Sequence, residues 1–193
     1  MAEDPCAATF RALLGPARGV RVLELGGASL AGWAADGGAA DYRALPAAEL
    51  DGWSGHADGT YDLVASWMAV QRTRNLARLL GTVHHHLRPG GRLVLAVPHP
   101  VATAAADGGP AAYFREGERK AGGEVVRHRT LQSYSTELRL AGFELVELAE
   151  ARSDTDGPPG ERPGGRPSGG PAGPADELPD GLVLRCRRAG VSV

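Results

Sequence analysis

Four side chains have the types and positions that proton transfer requires. His99 follows the apolar run R-L-V-L-A-V of residues 92–97 within P-H-P, which places it at a strand's C-terminal end, where open α/β sheets hold ligands. His128 lies just ahead of Thr130, the expected cap of a helix, and the helix macrodipole there favours a neutral, basic imidazole. Tyr113 and Glu116 sit in the long connection 101–123, of a length that compact domains use for lids and binding segments, and both can exchange a proton with a substrate. Each has a structural alternative: a loop-fixing hydrogen bond for His99, a solvent-facing strand position for His128, a purely structural lid for Tyr113 and Glu116. Ser66 and Trp67 end the run Y-D-L-V-A-S-W and offer a hydroxyl and an aromatic face to the same crevice, unless Trp67 packs the helix that follows.

Other chemistries find no support. Consecutive positions of a helix point about 100° apart, so His84, His85 and His86 cannot share one metal ion, and favourable contact with a helix C-terminus accounts for them. No metal site is expected. There is no nucleophile elbow, phosphate-binding loop or Cys–His pair. Cys6 and Cys186, near opposite ends, are too few for a disulfide framework or a zinc site, which suggests a reduced, cytoplasmic setting.

The elements that must position these residues follow from apolar spacing and turn residues. Asp4-Pro5 starts a helix with Phe10, Leu13 and Leu14 on one face, ended by Gly15-Pro16. Strands are expected at 20–25, 40–45, 61–66, 92–97, 143–148 and 182–186. Between them lie a short helix at 29–35 capped by Ser29, a helix from the Asn75 cap carrying Leu76, Leu79, Leu80, Val83 and Leu87, and a helix from Thr130 to Ala141. The alternation of strand, helix and strand specifies an α/β fold with a mostly parallel sheet. From Ser153 to Pro179, fourteen of twenty-seven residues are Gly or Pro, so this insertion between the last two strands is expected to be disordered. The chain of 193 residues otherwise forms a single domain, 1–193.

A formal charge of −2 provides no basic field for phosphate backbones or anionic lipid, and no apolar run approaches the roughly 20 residues that span a bilayer. Nucleic-acid and membrane partners are not expected. Twenty arginines against the single Lys120 look like genomic composition, so an arginine carries little functional weight by itself.

The sequence resembles the class I S-adenosylmethionine-dependent methyltransferases. The resemblance rests on Y-D-L-V-A-S at 61–66 and L-R-P-G-G-R-L-V-L-A-V-P at 87–98, similar to that family's fourth strand, fourth helix and fifth strand. Y-F-R-E-G-E-R at 113–119, H-R-T-L-Q-S-Y at 128–134 and L-A-G-F at 140–143 are similar to a bacterial small-molecule subgroup. It implies a Rossmann-like methyltransferase sheet ending in an antiparallel strand. Glu24, Gly26 and Gly27 would then meet the cofactor, with Ser66 and Trp67 beside them.

The N-terminal half departs from that pattern. The family's acidic residue and G-x-G-x-G match at Glu24 and Gly26, but Ala28 and Leu30 hold the next two glycine positions, with Leu30 the larger obstacle. The carboxylate that binds the ribose should end the second strand, about 20 residues on, where this chain has Leu45-Pro46. Only 36 positions separate Gly26 from Asp62, too few for two crossovers of at least about 10 to 12 residues each plus two strands. One βα unit is therefore expected to be missing, the helix after the second strand to be cut to 47–53, and the sheet edge there to be left bare.

Two functions are consistent with this. In the first, the chain is a methyltransferase-fold protein with a degenerate S-adenosylmethionine site. It binds no cofactor in isolation and serves as a non-methylating subunit, or as a cofactor-independent component, in steps such as ring formation in natural-product biosynthesis. It would act on a small-molecule substrate as a homodimer, or as a heterodimer with a complete methyltransferase-like protein that covers the bare edge. In the second, it is an active methyltransferase on a small metabolite, using His99 or His128 as base.

Overall fold

A computed structural model describes residues 5–54, 59–106, 109–121, 124–151 and 178–190. In chain order the elements are α1 (Pro5–Leu14), β1 (Arg21–Gly26), α2 (Ala31–Asp36), β2 (Asp41–Pro46), β3 (Tyr61–Trp67), α3 (Leu76–His86), β4 (Leu87–Pro98), α4 (Pro100–Ala105), β5 (Gly117–Ala121), β6 (Glu124–His128), α5 (Leu131–Leu140), β7 (Phe143–Ala151) and β8 (Gly181–Arg188). Asn75 and Thr130 cap α3 and α5 as their types suggest, accepting the N–H groups of Arg78 and Ser133.

Six strands form the main sheet in the order β2-β1-β3-β4-β8-β7, and β5 pairs with β6 in a separate antiparallel ribbon. The strands β2, β1, β3 and β4 are mutually parallel, while β8 runs antiparallel to both its neighbours, β4 and β7. This is the mostly parallel α/β sheet with an antiparallel last strand that the sequence specifies. On one face α1 lays Cys6, Phe10 and Leu14 over Val22, Leu63, Ala65, Val94 and Val183. On the other, α3 and α5 bury Leu76, Leu80, Val83, Tyr134 and Leu138 against Val64, Leu93, Leu95 and Leu184. The strand interiors are apolar on both faces because both are covered, which accounts for their nearly continuous hydrophobic runs.

Between β2 and β3 the described residues hold no further strand, and the helix expected at 47–53 is reduced to one 3₁₀ turn, Ala47–Glu49. The chain is held there by Asp51, whose carboxylate accepts from the Thr73 hydroxyl at 2.6 Å and the Arg74 N–H at 2.8 Å.

Several expectations need correction. Ser29 does not cap α2; Leu30 occupies that position, because the Ser29 N–H and hydroxyl are both committed to Glu24. The connection 101–123 is not a plain loop, since Pro100 starts α4 behind the His99 cap and Gly117–Ala121 pairs with Glu124–His128. Nor does the β2 edge expose a large apolar surface: Leu45 is buried and Tyr42 packs against the core. Exposed large hydrophobic residues lie instead on the opposite edge strand β7, at Leu145, Val146 and Leu148, and at Phe114, Val125 and Leu140. The Gly/Pro-rich insertion of 153–179 falls almost wholly outside the described residues.

Candidate functional site

The crevice above the first strands is built by Glu24. Its side chain is 1% exposed, and its two oxygens accept four hydrogen bonds: Oε1 from the Ser29 N–H and hydroxyl, Oε2 from the Leu30 N–H and the Tyr42 hydroxyl. A buried carboxylate needs such partners, and here they fold the chain sharply after β1. Gly26 takes a φ of +101°, a conformation that suits glycine. A Cβ added to it would stand 2.0 Å from the Ala69 Cβ, so the space above this glycine is filled by the chain's own residue. Gly27 is open, with nothing within 4 Å of the position its Cβ would take.

Leu30 is not the obstacle expected of it: it is turned into the core, 4% exposed, in a cluster against which Trp33 and Tyr42 pack. At the end of β2, Pro46 stands in register with Gly26 and Leu45 is buried, so no carboxylate ends that strand. The structure brings Ser66 and Trp67 to the end of β3 but does not turn both toward the crevice. Ser66 is fully buried, its hydroxyl donating to the Leu25 carbonyl at 3.1 Å, and Trp67 packs on Phe10 of α1 with ring centroids 5.2 Å apart. Adjacent strand residues face opposite sides of a sheet, so the two cannot share one crevice.

The four proton-transfer candidates lie beyond β4. His99 caps α4: Nδ1 accepts the Val101 N–H at 3.2 Å, and Nε2 lies 2.9 Å from Glu150 Oε1. Those contacts fix the neutral ring with its proton on Nε2. Burial holds its pKa below the usual histidine value, against the pull of Glu150 and Asp180. His128 is equally buried, with Nδ1 2.7 Å from the Thr103 hydroxyl and Nε2 2.7 Å from the Tyr113 carbonyl.

Tyr113, Glu116 and His128 are brought together, whereas His99 stands apart with Glu150. Tyr113 and Glu116 meet at the N-terminus of α5: the Tyr113 hydroxyl accepts the Leu131 N–H, and Glu116 Oε1 accepts from the Thr130 N–H and hydroxyl and from the Ser133 hydroxyl. Burial pushes the Glu116 carboxyl upward, but the hydrogen bonds from Ser133 and Thr130 outweigh it and leave it below the usual carboxylate range. Glu116 and His128 also border an open cavity of about 320 Å³ between the start of α3 and the β5–β6 ribbon. Four of its charged lining residues, Arg74, Arg127, Arg129 and Glu137, carry no signal that singles them out in the sequence. Arg129 does stand between His128 and the helix cap Thr130, but the abundance of arginine in this chain outweighs that position.

Compared with known proteins, residues 2–148 match the family described as a methyltransferase domain. No curated protein matches the chain. Among solved structures, an S-adenosylmethionine-dependent methyltransferase from Mesorhizobium loti is 26% identical, with a TM-score of 0.71 over 94% of this chain and 96% of that one. A Listeria monocytogenes protein assigned to the same class is 18% identical, with a TM-score of 0.73 over 96% of this chain and 99% of that one. The [4+2]-cyclase SpnF is 15% identical, with a TM-score of 0.59 over 94% of this chain and 81% of that one, a likeness of fold alone. Among the described residues no helix is long and apolar enough to cross a membrane, and no group of three or more His, Cys, Asp or Glu is placed to hold a metal ion.

Proposed function

The chain belongs to the methyltransferase-domain family, and from that premise we propose that it is a member whose S-adenosylmethionine site has degenerated. It serves as a non-methylating component of small-molecule biosynthesis, in steps such as ring formation. The observation that carries this reading is the closure over Gly26: the Ala69 methyl occupies the space that a glycine at this turn otherwise leaves for a bound nucleotide. Two further features support it. The four acceptor interactions of Glu24 are all made within the chain, and β2 ends in Leu45-Pro46 with no side-chain acceptor for ribose hydroxyls. These residues do not fit a nucleoside cradle, so no step is assigned to the cofactor.

A partner belongs to this reading. Exposed Leu145, Val146 and Leu148 on edge strand β7 favour association, with a second copy or with a complete methyltransferase-like protein. The likeness of fold to a [4+2]-cyclase supports ring formation as one candidate step and assigns no reaction to this chain.

The resemblance to the Mesorhizobium loti methyltransferase, which extends over nearly the whole of both chains, favours the second reading, active methyl transfer to a small metabolite. Isothermal titration with S-adenosylmethionine separates the two. The first expects no saturable heat with the isolated chain at concentrations up to about 100 μM, at least about 2.7 kcal/mol weaker than a micromolar site. Micromolar affinity of the isolated chain defeats it in favour of the second.

A further inference from the structure

The cavity between α3, the β5–β6 ribbon and α5 has features that the capping of α5 does not explain. Arg129 lines it and is 8% exposed; Nη2 donates to the Thr73 carbonyl at 2.8 Å, but Nη1 is buried without a hydrogen-bond partner. Glu137, on the same wall, has an equally orphaned buried oxygen, Oε2. Buried polar atoms are nearly always satisfied, and one orphan of each sign beside one cavity marks a place for a ligand that supplies both an acceptor and a donor. The first turn of α3 adds to this. Asn75 takes the Arg78 N–H, while the N–H groups of Leu76 and Ala77, which border the same cavity, have no acceptor within the helix. Arg74 and Arg127 also line the cavity; Arg127 pairs with Glu118 at 2.7 Å, the Arg129 charge acts on Glu137, and Glu116 already accepts three hydrogen bonds, so the guanidinium of Arg74 adds positive charge that no carboxylate of the lining is shown to pair.

We propose that this cavity binds a small molecule through an oxyanion, a carboxylate or a phosphate, seated between Arg129 and the N-terminus of α3, with an adjacent hydroxyl or ammonium group donating to Glu137. Arg129 is the anchor because a guanidinium held by Thr73 is already ordered and loses little freedom on pairing. Glu137 selects among acids, since an acid without a donor leaves its Oε2 unsatisfied and a hydroxy or amino acid does not. This holds whether or not the chain transfers methyl groups, and its test does not involve S-adenosylmethionine.

The test is a titration of the ¹⁵N-labelled full chain, at constant ionic strength, with sodium acetate, sodium glycolate, glycine and sodium phosphate, with sodium chloride as control. Saturable shifts of the Leu76 and Ala77 amides and of the Arg129 Nε–H signal are expected. Glycolate or glycine should bind about tenfold more tightly than acetate, the effect of one added hydrogen bond to a charged group. Arg129→Gln should abolish saturation. Because Arg129 also holds Thr73, a second variant, Glu137→Ala, keeps the proposal testable if the first does not fold: it should still bind acetate but lose the preference for glycolate. Absence of saturation by every probe up to about 50 mM, well beyond a millimolar site, overturns the proposal. So do saturation by chloride equal to that by acetate, unchanged binding by folded Arg129→Gln, and an intact glycolate preference in Glu137→Ala.

Discussion

The hydroxyl of Tyr42 on β2 donates to Oε2 of Glu24 on β1 across 2.7 Å, so the edge strand and the sharp turn after β1 are tied through one buried carboxylate. Tyr42→Phe should cost about 1.5 to 3 kcal/mol, the range for a hydrogen bond to a charged group, read from urea unfolding. Glu24→Gln should cost more, about 3 to 5 kcal/mol, because its amide would turn a donor toward other donors in a buried site. The same pair predicts an alkaline limit. Burial, then the hydrogen bond from Tyr42 to Glu24 and the charge of that carboxylate, raise the Tyr42 pKa well above its usual 10. This contribution to stability is fully present below the unfolded value near 10 and is lost as pH rises through the folded one. Tyr42→Phe should therefore show a shallower loss of stability above pH about 10.

Ala69 lies directly against Gly26 at the end of β1. Gly26→Ala combines a positive φ with a Cβ placed 2.0 Å from the Ala69 Cβ, and should lower stability by about 2 to 4 kcal/mol. Ala69→Gly removes the obstructing methyl and should leave Gly26 space on that side at a cost of about 1 kcal/mol. On the proposed reading that this methyl excludes a nucleotide, Ala69→Gly should show heat with S-adenosylmethionine where the parent chain is expected to show none. Equal silence from both would assign exclusion to Leu45-Pro46 and the committed Glu24 instead.

His99 gives a pH-dependent signature of opposite direction. Burial depresses its folded pKa below the unfolded value of about 6.5, so its contribution is present above pH about 6.5 and is lost as pH falls through the folded pKa. His99→Asn keeps a good helix cap for α4 but removes the titrating ring and its contact with Glu150. The difference in urea midpoint between parent and variant should narrow from pH 7.5 to pH 5. A constant difference would show that His99 does not titrate in this range.

Legibility in the sequence tracked the range of the interaction. The caps at Asn75 and Thr130 and the strands at 61–66 and 182–186 depend on neighbours within a few positions, and all are present. The shortage of chain between Gly26 and Asp62 was also readable, because the span of a crossover is a matter of length. What escaped depends on distant partners. Glu116 reaches Thr130 across 14 positions and Tyr42 reaches Glu24 across 18, and neither pairing leaves a periodic trace. The ribbon of β5 and β6 is polar and rich in glycine near its turn, so its alternation was too weak to separate from a loop. The strand end at Ser66 and Trp67 is legible in the apolar run before it, and the period of two turns the two side chains to opposite faces.

The N-terminus of α5 is capped twice, by its own Thr130 and by Glu116 brought in from the preceding connection, and this sets a limit at acid pH. Although burial raises the Glu116 pKa, the hydrogen bonds from Ser133 and Thr130 bring it below the ordinary value, so its contribution is present above the unfolded pKa of about 4.3 and is lost as pH falls through the folded one. Glu116→Gln should cost about 1 kcal/mol at pH 7, the scale of a helix cap, and the cost should shrink toward pH 3. Thr130→Ala should cost a similar amount at pH 7. The double variant should lose less than the sum of the two, because Glu116 accepts from the same Thr130 hydroxyl that Thr130→Ala removes. Strict additivity in a double-mutant cycle would mean that the carboxylate acts on the helix only through the Thr130 N–H, the Ser133 hydroxyl and the macrodipole, and that the Thr130 hydroxyl contributes nothing to holding it.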